Sequence, residues 1–147
     1  MAYDLYAFDL FAAPRDRHDF LDWISRTFRS IDGPLGSDAS RTTPALQEWQ
    51  RDLAQSFPAS ADPHLMFRSE EDMSSKNATY RFAQSAVQAS FDWEASGSAL
   101  FRAKKAAQVR GVGLFEASGH LGSVWMISPR NRWEIVHRHD DPGASFG

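Results

Sequence analysis

The sequence predicts a single α+β domain with one mixed or antiparallel sheet of about five or six strands and three helices. The length of 147 residues fits one domain. Segments with period-2 and helical spacing follow the order β-α-α-β-β-α-β-β, with a possible further strand near the C-terminal end. Because the helices and hairpins are segregated, we expect the helices to pack mainly on one face of the sheet. Residues 138–147 are expected to form a flexible tail.

The first half of the chain predicts one strand and two helices. Tyr3–Phe11 carries apolar residues at both parities, which is typical of a central strand. Arg15–Phe28 repeats its large apolar residues at helical spacing. Thr43 is suited to be the N-cap of the second helix and Pro44 its first residue, and Pro58 ends that helix. This helix has the best-defined ends in the sequence.

The middle of the chain contains a change of strand phase. Alternating apolar residues run from Tyr80 to Trp93, but their parity switches within Ala83–Ala86. A switch of this kind requires a turn or a bulge. Two antiparallel strands joined near Gln84–Ser85 are the favoured interpretation, and one bulged strand is the alternative.

The stretch from Leu100 to Ile127 predicts a helix, a tight stop and a hairpin. Leu100, Ala103, Ala107 and Val109 carry the helical repeat that we expect to face the core. Gly111 stands where a helix commonly ends in a left-handed residue. Two short apolar segments follow, at residues 112–117 and 124–127, and residues 132–137 form a possible edge strand.

Composition excludes several classes of function. The chain has no cysteine, which removes disulfides, thiolate nucleophiles and Cys-based metal sites. Its net charge of -3 makes phosphate-driven nucleic-acid binding a poor interpretation. No window approaches a membrane span, and Asp4 and Asp9 interrupt an N-terminal run that lacks basic residues, unlike a signal peptide. A soluble cytoplasmic protein that binds neither nucleic acid nor membranes is expected.

No catalytic motif appears in the sequence, and neither a metal nor a cofactor is predicted. The Gly-x-Gly of residues 111–113 follows a helix and leads into a strand, which reverses the dinucleotide-binding order. His137, His139 and Asp141 are able to ligate a metal from an extended chain, but a solvated tail is the favoured interpretation. The sequence therefore favours binding over catalysis.

The acidic triplet Glu70, Glu71 and Asp72 is the candidate partner-binding site. Adjacent carboxylates suit a charged surface better than an acid–base dyad. A solvated loop is the plainer interpretation. The functional one is a patch that meets basic residues of a partner protein.

Aromatic residues supply the second hypothesis. They make up 13% of the chain, with five tryptophans, and periodicity places Trp49 and Trp93 in the core. A small-molecule-binding or enzymatic domain with an aromatic cleft is the alternative function, with an acid–base pair among Asp9, Glu116 and His120. A third hypothesis is a homo-oligomer in which strand 132–137 pairs between chains.

Several segments together carry a resemblance. They are the opening Met1 to Leu5, the run Thr42-Thr43-Pro44-Ala45-Leu46, Trp49, Phe57-Pro58, Tyr80 through Trp93, Gly111 to Glu116, and Val124-Trp125. In these segments, which span most of the chain up to Trp125, the sequence resembles a group of small, acidic bacterial proteins whose genes tend to lie beside polymorphic or contact-delivered toxin genes.

The resemblance implies an immunity-type protein that is not an enzyme. Such a protein binds a cognate, more basic toxin domain and inhibits it by occluding its active site. It implies no catalytic residues. The chain departs from the pattern at residues 94–98, which are smaller and less acidic than usual, and at residues 129–147, which extend past the usual end.

Overall fold

The computed structural model describes residues 2–29, 38–59, 78–119, 122–128, 130 and 132–137. The helices and strands are β1 (Ala2–Phe8), α1 (Arg17–Arg29), α2 (Pro44–Ala54), β2 (Ala78–Phe82), β3 (Ala86–Asp92), α3 (Ser96–Arg110), β4 (Gly113–Glu116), β5 (Val124–Ile127) and β6 (Trp133–His137). Single 3₁₀ turns occupy Ala39–Arg41 and Trp93–Ala95. The predicted α+β class and element order are confirmed.

The strands form one antiparallel sheet in the order β2-β3-β1-β4-β5-β6. Strand β1 lies inside the sheet and pairs along its whole length with β3, from Ala2 opposite Asp92 to Phe8 opposite Ala86. Its other side pairs with β4. The prediction of a central first strand is therefore confirmed.

The parity switch near residue 84 is a hairpin turn. The Ala83 N–H donates to the carbonyl of Ala86 at 2.8 Å, closing the connection between β2 and β3. This confirms the favoured interpretation over the single bulged strand. A register shift does occur elsewhere, between β5 and the edge strand β6, next to Val124 and Trp125.

Helices cover both faces of the sheet. The odd residues of β1, Tyr3, Leu5 and Ala7, belong to a core shared with α2 and α3, whereas Phe8 packs with α1 on the other face. Two of the three helices thus share a face, as expected, and α1 covers the second. Successive side chains of β1 point to opposite faces of the sheet, and both sets include apolar residues. Helices must therefore cover both faces to remove these side chains from water.

Helix α2 begins as the sequence predicts and ends earlier. The Thr43 hydroxyl accepts from the Leu46 N–H, and Pro44 occupies the first helical turn. The helix stops at Ala54, after which the Ser56 and Phe57 N–H groups both bond the Leu53 carbonyl. This turn lets Phe57 reach the core before Pro58. The helix therefore ends several residues before the predicted position.

Side-chain bonds join α2 to α3. The Trp49 indole N–H donates to the Ala103 carbonyl at 3.1 Å. Arg110 makes two bonds to Asp52, at 2.8 and 3.0 Å, and lies 3.6 Å from Glu48. Helix α3 then stops at Gly111, whose φ of 72° is left-handed as predicted.

Three predicted features lie outside the described residues. These are the loop that carries Glu70, Glu71 and Asp72, the turn residue His120, and the tail at 138–147. Strand β6 is described, although the side chain of His137 is not. Within the described ranges, no helix combines the length and apolar character needed to cross a bilayer.

We predict that Gly113→Ala destabilises the protein by about 1–3 kcal/mol, because a core is intolerant of added volume. Its Cβ would lie 2.2 Å from Cζ of Phe8, whose ring is fully buried and cannot move aside. Urea unfolding followed by circular dichroism measures the loss.

The matched control is Gly97→Ala in α3, where an added Cβ meets nothing within 4 Å. Alanine is the better helix former, so this variant should be unchanged or stabilised by up to about 1 kcal/mol. Equal effects of the two substitutions would contradict the close approach of Gly113 to Phe8.

Candidate functional site

Helix α3 turns its small side chains inward and its large ones outward. The core side consists of alanines, Ala99, Ala103, Ala106 and Ala107. Phe101 and Val109 are instead 68% and 69% exposed. The predicted inward position of Val109 is therefore wrong, whereas Ala103 and Ala107 are buried as predicted and Leu100 is partly buried against the core.

Trp49 is the physical reason for this reversal. Among the described residues, its side chain is the largest that is fully buried. Its hydrogen bond to the Ala103 carbonyl brings the indole against the backbone of α3. Close-packed interiors have no spare volume, so the position of Ala103 beside the indole has room only for a small side chain. Larger side chains on this helix must lie elsewhere.

The outer side of α3 is apolar and cationic. Phe101 and Val109 are eight residues apart, which is about 12 Å along a helix. Lys105 lies between them at helical spacing, and Arg102 is also exposed. Lys104 differs, since its ammonium lies 5.1 Å from the centre of the Trp125 ring and is held against the sheet.

Trp93 extends this exposed segment toward the N-terminal end of the helix. It is 45% exposed and lies in the 3₁₀ turn before α3, so its predicted place in the core is wrong. Its ring stands edge-on to Tyr3, with centroids 5.5 Å apart. Asp92 and Glu94 on either side are both exposed. Their carboxylates make this end of the segment acidic.

We call the exposed side chains of this segment the α3 surface. It comprises Asp92, Trp93, Glu94, Phe101, Arg102, Lys105 and Val109. Among the described residues, four large hydrophobic side chains are exposed, and three of them belong to this surface. The fourth, Phe11, lies in the turn after β1.

A groove of about 510 Å³ separates the end of α2 from the start of α3. Its lining is mostly polar and includes Gln55, Ser56, Glu94, Ser98 and Arg102. Two of these residues belong to the α3 surface. The surface is therefore indented, so that it is able to accept a projecting side chain.

The predicted acidic triplet lies outside the described residues, in the segment between Ala59 and Ala78. Ala59 and Ala78, at the two ends of this segment, bridge each other. Ala78 also lies opposite Phe91, next to Asp92.

The structure separates two members of the proposed acid–base group, Asp9 and Glu116. Glu116 lies opposite Leu5, whereas Asp9 follows Phe8, which lies opposite Gly113. Asp9 is four residues after Leu5, a separation of about 13 Å along a strand. Asp9 accepts from the N–H of Phe11, and Glu116 accepts from the Tyr3 hydroxyl. His120 lies outside the described residues.

An aromatic cavity of about 400 Å³ lies on the other face of the sheet. It opens beside α1 between Tyr6, Phe28 and Phe115. Among the described residues that line it, none carries a carboxylate. In the part of the chain that the structure describes, no group of three or more acidic or histidine side chains is placed to hold a metal ion.

Comparison of the chain with models of known families, with curated proteins and with solved structures found no match.

Sequence inspection missed Phe101 as a surface residue and placed Trp93 and Val109 in the core. One signal was present in the sequence. Four alanines of α3, at positions 99, 103, 106 and 107, recur at helical spacing on one side, and Phe101 falls off that side. A helix of this kind has its large apolar residues out of register with its small ones, which is the pattern the structure explains.

We predict that Phe101→Ser changes the free energy of unfolding by no more than about 0.5 kcal/mol, as is usual for an exposed position. Ala103→Leu should cost about 1–3 kcal/mol because the site beside Trp49 is full. Urea unfolding of both variants distinguishes them. A larger loss for Phe101→Ser than for Ala103→Leu would contradict the assigned orientation of α3.

We also predict a stability decline in alkali. Burial first, and the Glu116 carboxylate second, raise the pKa of Tyr3 above its usual value near 10. The unfolded chain therefore loses this proton before the folded chain does. The contribution of Tyr3 to the free energy of unfolding is complete below about pH 10 and falls as the pH rises further.

Tyr3→Phe should lower stability at neutral pH, by about 1–3 kcal/mol for a lost bond to a charged acceptor, and should make the decline above about pH 10 less steep. Chemical unfolding at a series of pH values tests this. Tyr80, whose pKa burial also raises, remains to supply part of the slope. Parallel curves for the wild type and the variant would refute the assignment.

Proposed function

We propose that this chain is an immunity-type protein that binds a cognate toxin domain and inhibits it by occluding the toxin's active site. The observation that carries the proposal is the placement of three exposed large hydrophobic side chains, Trp93, Phe101 and Val109, on one segment. The resemblance in sequence to proteins encoded beside toxin genes supports the same function.

The α3 surface has the composition of a protein interface. Tryptophan and arginine are enriched among residues whose truncation most weakens complexes. Isolated exposed hydrophobic residues are ordinary, but here the core-facing positions of the same helix are occupied by alanine. Phe101 and Val109 are thus available to a partner instead of contributing to the core.

The charges of the surface favour a particular orientation of the partner. Asp92 and Glu94 suit the cationic groups of a more basic toxin domain. The triplet Glu70, Glu71 and Asp72, which lies outside the described residues, is proposed to contact such groups as well. Arg102 and Lys105 would meet carboxylates on the same partner. Opposed charges of this kind govern orientation and association rate more than affinity.

Occlusion requires only a rigid surface and no reacting group on the inhibitor. Trp93 or Phe101 would enter the substrate groove of the toxin, and the acidic end would cover its cationic substrate-binding groups. The proposal therefore treats the chain as a binding protein and not as an enzyme. It assigns no cofactor.

The experiment is capture of partners from the lysate of the native host with tagged protein, followed by mass spectrometry and an assay of the captured partner. We predict one partner in near-equal amount, with a toxic activity that the purified chain abolishes. Trp93→Ser and Phe101→Ser should each weaken binding about 30-fold, the effect of losing about 2 kcal/mol at a hot spot.

Phe11→Ser is the matched control, because Phe11 is fully exposed but lies outside the α3 surface. Its affinity should equal that of the wild type. Loss of binding in the Phe11 variant alone would show that the interface lies outside the α3 surface. A stoichiometric partner whose activity is unaffected by the chain would refute inhibition.

A further inference from the structure

The cavity beside α1 combines aromatic walls with an unused polar group. Tyr6 and Phe115 stack with ring centroids 5.8 Å apart, and Tyr6 meets Phe28 edge-on at 5.2 Å. Leu21 and Ile24 of α1 complete the apolar lining. A volume of about 400 Å³ falls in the range of small-ligand sites, about 300–1,000 Å³.

The Tyr6 hydroxyl is available to a ligand. Tyr6 is half-buried, and its hydroxyl makes no hydrogen bond to any described residue. Tyr3 and Tyr80, in contrast, both donate to a protein acceptor. A tyrosine hydroxyl is protonated at neutral pH and able to donate, and burial and the neighbouring Asp4 raise the pKa of Tyr6 further.

One guanidinium group lies in the lining of the cavity. Arg29 lines the cavity at the end of α1 and is exposed. A second guanidinium, that of Arg81, lies 5.7 Å from the centre of the Phe28 ring and also bonds the Phe28 carbonyl. Asp4 is a neighbouring carboxylate, and it accepts a bond from the Ser90 hydroxyl at 2.5 Å. Among the described residues that line the cavity, Arg29 carries a positive charge and none carries a negative one.

From these observations we infer that the cavity binds a small planar aromatic anion, such as an aromatic carboxylate. The ring would lie against Tyr6, Phe28 and Phe115, since aromatic pairs favour stacked or edge-on contact. The anionic group would accept a hydrogen bond from the Tyr6 hydroxyl and lie near Arg29. This site lies on the opposite face of the sheet from the α3 surface and does not depend on the proposed toxin binding.

The test uses 2-naphthoate as the probe and 2-naphthylmethylammonium as its charge-reversed counterpart. The usual affinity per atom of small ligands sets the expected Kd for 2-naphthoate near 1 mM, to about an order of magnitude. Titration of the full chain, followed by methyl chemical shifts in NMR, should show saturable changes at Leu21 and Ile24. The ammonium probe should bind at least about ten-fold more weakly.

Variants then separate the polar contributions. Arg29→Glu should weaken the binding of 2-naphthoate at least about ten-fold without weakening the binding of the ammonium probe. Tyr6→Phe keeps the ring contacts and should weaken the binding of 2-naphthoate by a smaller factor. Arg102→Glu makes the same charge change on the opposite face of the sheet. It should alter neither titration.

Three outcomes would overturn the inference. They are the absence of saturable binding at about ten times the expected Kd, equal binding of the two probes, and shifts that map away from Leu21 and Ile24. If Arg29→Glu unfolds the protein, Arg29→Gln retains the polar side chain and still removes the charge. None of these outcomes bears on the capture experiment, so the two proposals fail independently.

Discussion

The packing of Trp49 against α3 is the constraint on which much of this structure depends. The indole fills the space between α2, α3 and the sheet, and its N–H bonds the backbone of Ala103. Helix α3 is thereby held close enough that its inner side must be alanine. The same contact is related to the exposure of Phe101 and Val109. These side chains lie on the outer side of α3, away from the alanines that face the core. Burial of one side chain thus influences which side chains of α3 reach the surface.

Strand β1 imposes the second constraint. Its odd residues enter the core beneath α2 and α3, and its even residues Tyr6 and Phe8 lie on the side of α1. A central strand that is apolar on both faces requires cover on both faces. Because α1 covers Phe8 more completely than Tyr6, an aromatic cavity remains at the end of that helix. The two candidate sites therefore arise on opposite faces of one strand.

The sequence predicted the features that depend on neighbouring residues. Thr43 and Pro44 define the start of α2, Gly111 ends α3, and the parity switch gives the hairpin between β2 and β3. Each of these follows from local backbone chemistry. For the same reason, the α+β class and the order of the elements were predictable, since both are read from successive segments.

The candidate sites were mostly not predictable, because they depend on contacts between distant residues. Which side of α3 faces inward is decided by Trp49, more than fifty positions earlier. The carboxyl of Glu116 is held by Tyr3 from the opposite end of the chain. Apolar spacing alone could not assign Val109, since alanine and valine both count as apolar and only the available volume distinguishes them.

Rigidity gives the α3 surface an advantage as an interface. Phe101 lies on a helix that is fixed to α2 through Trp49 and through the paired bonds of Arg110 to Asp52. A partner therefore has little backbone to order on binding, and ordering is among the larger costs of association. The side chain of Trp93 is already held edge-on by Tyr3. Hydrophobic groups positioned in advance in this way convert more of their buried area into affinity, which favours α3 over a loop as the centre of the proposed contact.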